Sequence, residues 1–502
     1  MGSFNWFDLA IVAAYVIGVT AFGTLLGRRQ KDARDYFLAD RSIPWWVVCF
    51  SIIATETSVL TFISIPATGY TSDLWMVQLA IGYLIGRIAI AAILLPGYFN
   101  REITTAYALL ERRFGLHTRR FASVTFMVTR ALASSVRLFA AAIPIKIITG
   151  LPYTWAILLT GIVTLIYTYY GGLRAVVWVD VVQMFVFLFG AFAALYVLLH
   201  AVPGGWSGFV AAAQPAQKLR VAHMSGGFAD TKWIFTGLLG GAFLSMASHG
   251  ADHLIVQRLL AAPSLRDARK ALIASGIWIL AQFTLFLIVG IGLFAYYRGA
   301  AFHPADEVLP RFILDGLPAG ISGLVIAGIF SVAMSSEASA LNSLASALVH
   351  DIYAPLAKRL GRADDEHALM RAGRLFTLFW GVVLIAGAIA FQFMRQDTPI
   401  VVIALQIASF TYGGLLGGFL LGLVSSRAGE RDAITGMATA IVTMGAWWAA
   451  QQFHVIPKLI DPLWFSLIGS AITVGVGSAS ARLRGYDHRT CIANPDSRTL
   501  DG

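Results

Sequence analysis

Charge is what this 502-residue chain has least of: Asp, Glu, Lys and Arg together make up 13% of it, about half the ~25% of an ordinary soluble chain. That scarcity excludes a large water-facing catalytic domain. Cysteine is nearly absent as well, with Cys49 in an apolar run and Cys491 in a polar tail, so there is no disulfide framework and no metal-ligand spacing. The first apolar run lacks a preceding basic region and a small-residue cleavage site, and reads as a retained span rather than a secretory leader. The net charge of +10 does not gather on one face. The basic residues lie in short loops between apolar spans, which sets nucleic acid aside as a partner. No nucleophile and base stand at convincing spacing, so an enzyme ranks last among the readings.

What the chain has instead is apolar length: 58% hydrophobic residues and a mean hydropathy of +0.73. At roughly 20 apolar residues per crossing, the pattern predicts an all-α polytopic membrane protein embedded in the lipid bilayer. About thirteen transmembrane helices are expected, near 5–27, 44–71, 74–99, 121–149, 152–170, 175–201, 233–260, 270–297, 317–349, 373–394, 398–424, 431–452 and 462–481. Lys and Arg mark the cytoplasmic side. Of the 37, 26 follow odd-numbered spans, Arg258 among them, whereas Arg87, Arg130, Arg137 and Lys146 fall within spans. The N-terminus is therefore expected outside and the C-terminus inside, in the plasma (cytoplasmic) membrane.

Two spans make poor continuous helices. The second carries Ala54-Thr55-Glu56-Thr57-Ser58, with Ser64, Pro66 and Gly69 beyond, and the seventh carries SMASHGAD from Ser245 to Asp252. They are five spans apart, which divides the chain into a half at 44–201 (spans 2–6) and a half at 233–425 (spans 7–11). An extracellular loop at 202–232 joins them. Residues 1–43 hold the first helix and a cytoplasmic loop, and 426–502 hold two peripheral helices and a tail. Such a pair of interruptions points to an inverted-repeat transporter with its site at the midplane. The plainer alternative is Ser and Gly packed against neighbouring helices.

The stretch from Ser331 to Tyr353, SVAMSSEASALNSLASALVHDIY, lines Ser335, Ser339, Asn342 and Ser346 along one helical face beside Ser336 and Ser343. Hydroxyl and carbonyl oxygens suit a hard cation such as sodium, although close helix packing by small residues explains the same spacing. Glu56 needs a partner, because a carboxylate at a helix centre costs about 2.5–3.5 kcal/mol on insertion scales. A bound cation, a cationic substrate group, Arg87, Arg130 or Arg137 would serve. Glu337 interrupts the serine stripe as a second acid. Arg130 and Arg137 lie two turns apart and offer guanidinium to an anionic substrate. Arg130 is close enough to a basic loop to snorkel, which makes Arg137 the better candidate. Asp180 follows Gly171-Gly172 and either belongs to a site or pairs with Arg174.

Together these pieces resemble the sodium:solute symporter family. Four stretches carry the likeness: SIIATETSVLTFISIPATGY at 51–70, ITTAYALLERRFG at 103–115, YTYYGGLRAVVWVDVVQMFV at 167–186, and the serine stripe at 331–353. The resemblance implies a five-plus-five inverted repeat of the leucine-transporter type with extra spans at both ends. It implies a sodium site made by the hydroxyls of Ser335 and Ser336 and the carbonyls of Ala54, Thr57 and Val332. Some members hold a second sodium between an acid matched here by Asp180 and two serines, which in this chain are Ala338 and Ser339, so one ligand is missing. Glu56 falls where proline-carrying members have an aspartate, which implies a role in coupling for it. The sugar-binding pattern does not carry over to Glu56, Thr61, Ala80, Tyr83, Ser245 and Ile279.

The resulting expectation is sodium-coupled import of a small polar organic solute by alternating access, with sodium as coupling ion and no other cofactor. Glu56, Thr61, Tyr83, Arg137, Ser245, Ser248, His249 and Gln406 are the candidate substrate contacts. Asp180, Ser339, Glu56 and Glu337 are candidates for a second cation or for coupling. The same scaffold coupled to protons through Glu56 or Glu337, and a membrane solute sensor that does not transport, stand as alternatives.

Overall fold

The computed structural model describes residues 5–27, 30–99, 103–359, 365–393, 400–453 and 455–484. Among them the chain is helical throughout, with one isolated β-bridge between His223 and Trp233. The helices are α1 (Trp6–Leu26), α2 (Ala33–Leu38), α3 (Trp45–Glu56), α4 (Val59–Thr71), α5 (Met76–Ile93), α6 (Leu95–Phe99), α7 (Tyr107–Arg113), α8 (Leu116–Thr149), α9 (Tyr153–Ala201) and α10 (Gly205–Ala213). They continue as α11 (Gly241–Met246), α12 (His253–Leu260), α13 (Leu265–Tyr296), α14 (Val308–Asp315), α15 (Ile321–Ala347), α16 (Ala354–Arg359), α17 (Glu366–Phe391), α18 (Ile400–Val424), α19 (Glu430–Gln452) and α20 (Phe465–Leu483). Nine helices among the described residues are long and apolar enough to cross a membrane. Arg28, Arg29, Arg101, Arg362, Arg395, the onset of the eleventh expected span, the tail from 485 and the side chain of Gln406 lie outside the described residues.

Both expected interruptions are present. α3 stops at Glu56, and Thr57 and Ser58 take extended dihedrals (φ −68°, ψ 123° and φ −116°, ψ 167°) before α4 starts. Ser58 and Thr61 close a capping box on α4, each side chain accepting from the other's backbone N–H at 3.4 and 3.3 Å. Such a box satisfies amide groups that a new helix leaves bare. In the second half the chain winds through π-helical turns at Thr236–Gly240 and Ala247–Ala251, then breaks at Asp252 (φ −83°, ψ 121°). Asp252 caps α12 by accepting the Leu254 N–H at 2.9 Å. π-turns of this kind are frequent at functional positions.

The fifth and sixth expected spans lie on α9, which consists of two helical segments meeting at a sharp non-helical kink at Gly172 (φ 52°, ψ −159°). The chain folds back there: Tyr167 before the kink and Val179 beyond it lie 3.0 and 3.1 Å from a Cβ built at Gly23 of α1, and a Cβ at Gly172 itself would lie 2.6 Å from the Tyr36 carbonyl oxygen. One expectation needs correction. Arg258, counted with the basic loops, sits on α12 and is fully buried.

α15 forms the centre of the molecule. Nearly every residue along it is buried, and it packs along α9 and against α1, α3 and α8. The Asp8 carboxylate of α1 holds its N-terminus, accepting from the backbone of Gly320 at 2.7 Å and Gly323 at 2.9 Å and from the Ser322 hydroxyl at 2.8 Å. Negative charge at that end complements the helix dipole. On the other side of the core, Gly86 of α5 lets the broken second-half helix approach closely. A Cβ at Gly86 would lie 2.3 Å from the Ala242 carbonyl oxygen and 2.9 Å from the Ser245 Cβ.

Candidate functional site

The break after α3 leaves backbone carbonyls without the amides that a continuing helix would supply, at the negative end of a half-helix. α15 passes opposite this break. The Ser336 hydroxyl donates to the Thr57 carbonyl oxygen at 3.2 Å, and the Ser335 hydroxyl donates to Asp180 Oδ1 at 2.6 Å. A cavity of about 10 Å³ lies at this junction, walled by Ala54, Thr57, Gln183, Ser331, Val332 and Ser335 among others. That volume is about one water-sized sphere. Four of the five expected sodium ligands therefore line one ion-sized space, and the fifth, Ser336, is bonded to the same break. Among the described residues no group of three His, Cys, Asp or Glu could hold a metal ion. The oxygens available are hydroxyls and carbonyls, which are hard ligands.

The expected second position is built differently. Asp180 is fully buried and accepts from Ser51 at 2.5 Å, from Ser335, and from Arg258 Nη2 at 3.3 Å. Arg258 also donates to the Ser51 hydroxyl at 2.9 Å, to the Leu254 carbonyl at 2.8 Å and to the Ser339 hydroxyl. A guanidinium thus bridges Asp180 and Ser339, and a buried carboxylate of this kind is costly unless it is paired. Arg174 is not its partner; that side chain reaches Asp35 at 3.2 Å. Thr55 completes the cluster, its hydroxyl 3.0 Å from that of Ser339.

Next to the break, Glu56 forms an ion pair with Arg87 of α5, and His249 Nε2 lies 3.4 Å from its carboxylate. Arg87 is fully buried and donates a second bond to Ser275 at 2.5 Å. Ser248 lies 2.8 Å from His249 Nδ1. The buried Ser245 hydroxyl has no hydrogen-bond partner among the described residues. Tyr83 is half-buried on α5, edge-on to Phe283 with ring centroids 6.2 Å apart. Thr61 is engaged in the α4 cap, which ties its hydroxyl to Ser58.

The two arginines of α8 separate. Arg130 does not snorkel: it is buried, in an ion pair with Asp252 and donating to the Tyr412 hydroxyl at 2.9 Å. Burial of the Asp252 break supplies the carboxylate that holds it inside. Arg137 is half-buried, within the electrostatic reach of Asp252 and Glu56, and makes no hydrogen bond or ion pair among the described residues. Glu337 is buried and likewise without one among them. Sequence reasoning missed Arg258 and Ser51 as parts of the site. Ser51 and Thr55 stand one helical turn apart on the face of α3 that carries the break, a signal that was available.

The model of the sodium:solute symporter family matches residues 36–440. The sodium/sialic acid symporter of Aliivibrio fischeri is 29% identical over 491 residues, covering 95% of this chain and 94% of that one. The sodium/glucose cotransporter of Vibrio parahaemolyticus is 28% identical over 473 residues, covering 87% and 84%. Among solved structures, the substrate-bound outward-open state of a sodium-coupled sialic acid symporter superposes with a TM-score of 0.85 at 28% identity, covering 95% of this chain and 98% of the other. With the broken helices and the serine-lined junction in place, these matches establish that the chain belongs to the sodium:solute symporter family.

Proposed function

We propose that this protein imports a small carboxylate-bearing polar solute together with one sodium ion by alternating access. The observation that carries the reading is the ion-sized cavity between the α3–α4 break and α15, with Ala54, Thr57, Val332 and Ser335 in its walls and Ser336 beside it. Sodium bound there would hold the break against α15, and its inward movement contributes about 2.3 kcal/mol per 100 mV of membrane potential. One ion rather than two is favoured because Arg258 already neutralises Asp180 and donates to Ser339. By linkage, substrate and sodium tighten one another equally.

The relatives are named for a sugar acid and for a neutral sugar. Arg137 favours the acid, since Arg87, Arg130 and Arg258 each have a carboxylate partner and Arg137 has none among the described residues. Tyr83, Ser245, Ser248, His249 and Gln406 would complete the pocket, with the Glu56–Arg87 pair at its edge. The architecture in this reading is thirteen crossings in the plasma membrane, N-terminus outside. The halves at 44–201 and 233–425 are related by inversion and joined by the 202–232 loop, with 1–43 before them and 426–502 after. The test is thermal stability and proteoliposome uptake with carboxylates, amino acids and sugars, in sodium and in equimolar potassium. A sodium-specific shift increased by a carboxylate and lost in Ser336→Ala supports the reading.

Glu337 motivates one second reading, proton coupling, because it is a buried acid without a hydrogen bond or ion pair among the described residues. Uptake driven by pH without sodium, and abolished in Glu337→Gln, would establish it instead.

A further inference from the structure

A second recess lies away from the central site, where α3 and α13 begin. It has about 700 Å³ of accessible space, and its walls carry Arg266, Arg269 and Lys270 together with Trp45, Ile273 and Ile277. These residues follow a pattern along one face of α13. Positions 266, 270, 273 and 277 are three to four apart, with 269 beside 270, so they form one stripe that is cationic at the start and aliphatic two turns later. α13 has 32 residues, which at 1.5 Å per residue is about 48 Å, longer than the ~30 Å of a bilayer's hydrocarbon. Its first turns therefore stand in the headgroup layer and Ile277 in hydrocarbon. Trp45 and Trp46, 39% and 40% exposed, fit the interfacial level that tryptophan prefers.

The charges of these cations are not engaged in ion pairs among the described residues. Arg266 and Lys270 are exposed, and none of the three pairs with a carboxylate among the described residues. Asp267, the nearest acid in sequence, is occupied in the helix cap, where it accepts from the Ser264 hydroxyl at 2.6 Å. Arg269 is held in place by a 2.8 Å bond from Nε to the Ala91 carbonyl. Three cations above an aliphatic and aromatic floor complement a molecule with an anionic head and a hydrocarbon tail. Basic recesses at this depth are where anionic lipid heads bind.

We propose that this recess is a binding site for an anionic phospholipid, whose phosphodiester sits among Arg266, Arg269 and Lys270 and whose acyl chain lies along Ile273 and Ile277. The lipid would bridge the start of α13 to Trp45 at the start of the first broken helix, so its binding to the folded state raises stability.

The experiment uses the full chain in nanodiscs of phosphatidylcholine with increasing phosphatidylglycerol, with thermal stability and lipid retention in native mass spectrometry as readouts. Phosphatidylglycerol should raise the melting temperature and be retained, whereas added phosphatidylcholine or inorganic phosphate should do neither. Arg266→Gln/Lys270→Gln, both at exposed positions, should weaken retention roughly five-fold per cation removed. Lys358→Gln/Arg359→Gln, which removes the same charge elsewhere, should leave it unchanged. An equal response to phosphatidylcholine, an equal response to inorganic phosphate, or equal weakening by both double variants would overturn the proposal.

Discussion

Ser336 of α15 donates its hydroxyl to the carbonyl oxygen of Thr57, 3.2 Å away and 279 residues earlier in the chain. This bond joins the central helix, buried along nearly its whole length, to the break in the first half. Both atoms are oxygens that a sodium ion would also use, so hydrogen bond and ion compete for them. In the proposed sodium site, binding the ion would require the O–H to turn away from Thr57, leaving the hydroxyl lone pairs and the carbonyl on the cation.

Ser336→Ala should therefore separate folding from ion binding. It removes one hydrogen bond, worth about 0.5–1.5 kcal/mol of stability, and one ligand. Sodium affinity should fall about ten-fold or more, since each ten-fold corresponds to about 1.4 kcal/mol. Sodium-dependent thermal shifts at constant ionic strength, with potassium as replacement, measure this. An unchanged half-saturating sodium concentration would place the ion elsewhere.

Arg258 and Asp180 should behave as a unit. Removing one member of a buried ion pair costs about 3–5 kcal/mol, because the other is left charged and unpaired. Arg258→Met alone should express poorly or melt far below the parent, and Asp180→Asn/Arg258→Met should recover much of the loss. Denaturation of the three variants gives the coupling energy directly. Additive losses would mean that the two side chains do not depend on each other.

How much of this was legible in the sequence follows from the range of each interaction. The break at Thr57-Ser58 and the serine face of α15 were readable because both are local: an interrupted apolar run and a helical period. Their meeting was reachable only through the family resemblance, since no local rule brings residue 57 to residue 336. Glu56 had three arginine candidates, and tertiary packing alone selects Arg87. Arg258 was misplaced because an arginine at the end of an apolar run looks like a loop residue, while its partner Asp180 lies 78 residues away. The reversal within α9 was readable from the Gly171-Gly172 pair, and Gly172 takes the positive φ that it needs. Arg130 was expected at the interface for want of knowing that Asp252, 122 residues on, would meet it in the core.

Arg137→Gln tests the substrate class apart from the ion. Without the guanidinium assigned to substrate in the proposed function, uptake of a carboxylate should fall to background. Arg137→Lys should retain only weak uptake, since a point charge does not reproduce a bidentate fork. Sodium-dependent stabilisation without substrate should persist in both. If carboxylate uptake survives Arg137→Gln, or if sodium binding is lost with it, the assignment of Arg137 to substrate fails.

Asp306 offers a pH signature outside the membrane-spanning helices. It lies in the short turn Ala305–Glu307 before α14, and burial pushes its carboxyl above the ordinary carboxylate range. The folded protein therefore binds this proton more tightly than the unfolded chain does. By linkage, stability is greatest below the ordinary carboxylate range and falls as pH rises through the interval up to the raised folded value. Above that interval the ionised side chain is a standing cost. Asp306→Asn cannot ionise and should be more stable than the parent near pH 8, with the difference shrinking toward pH 4. Melting temperatures of the two proteins across this range decide it, and a difference that does not vary with pH would rule out the ionised carboxylate as its origin.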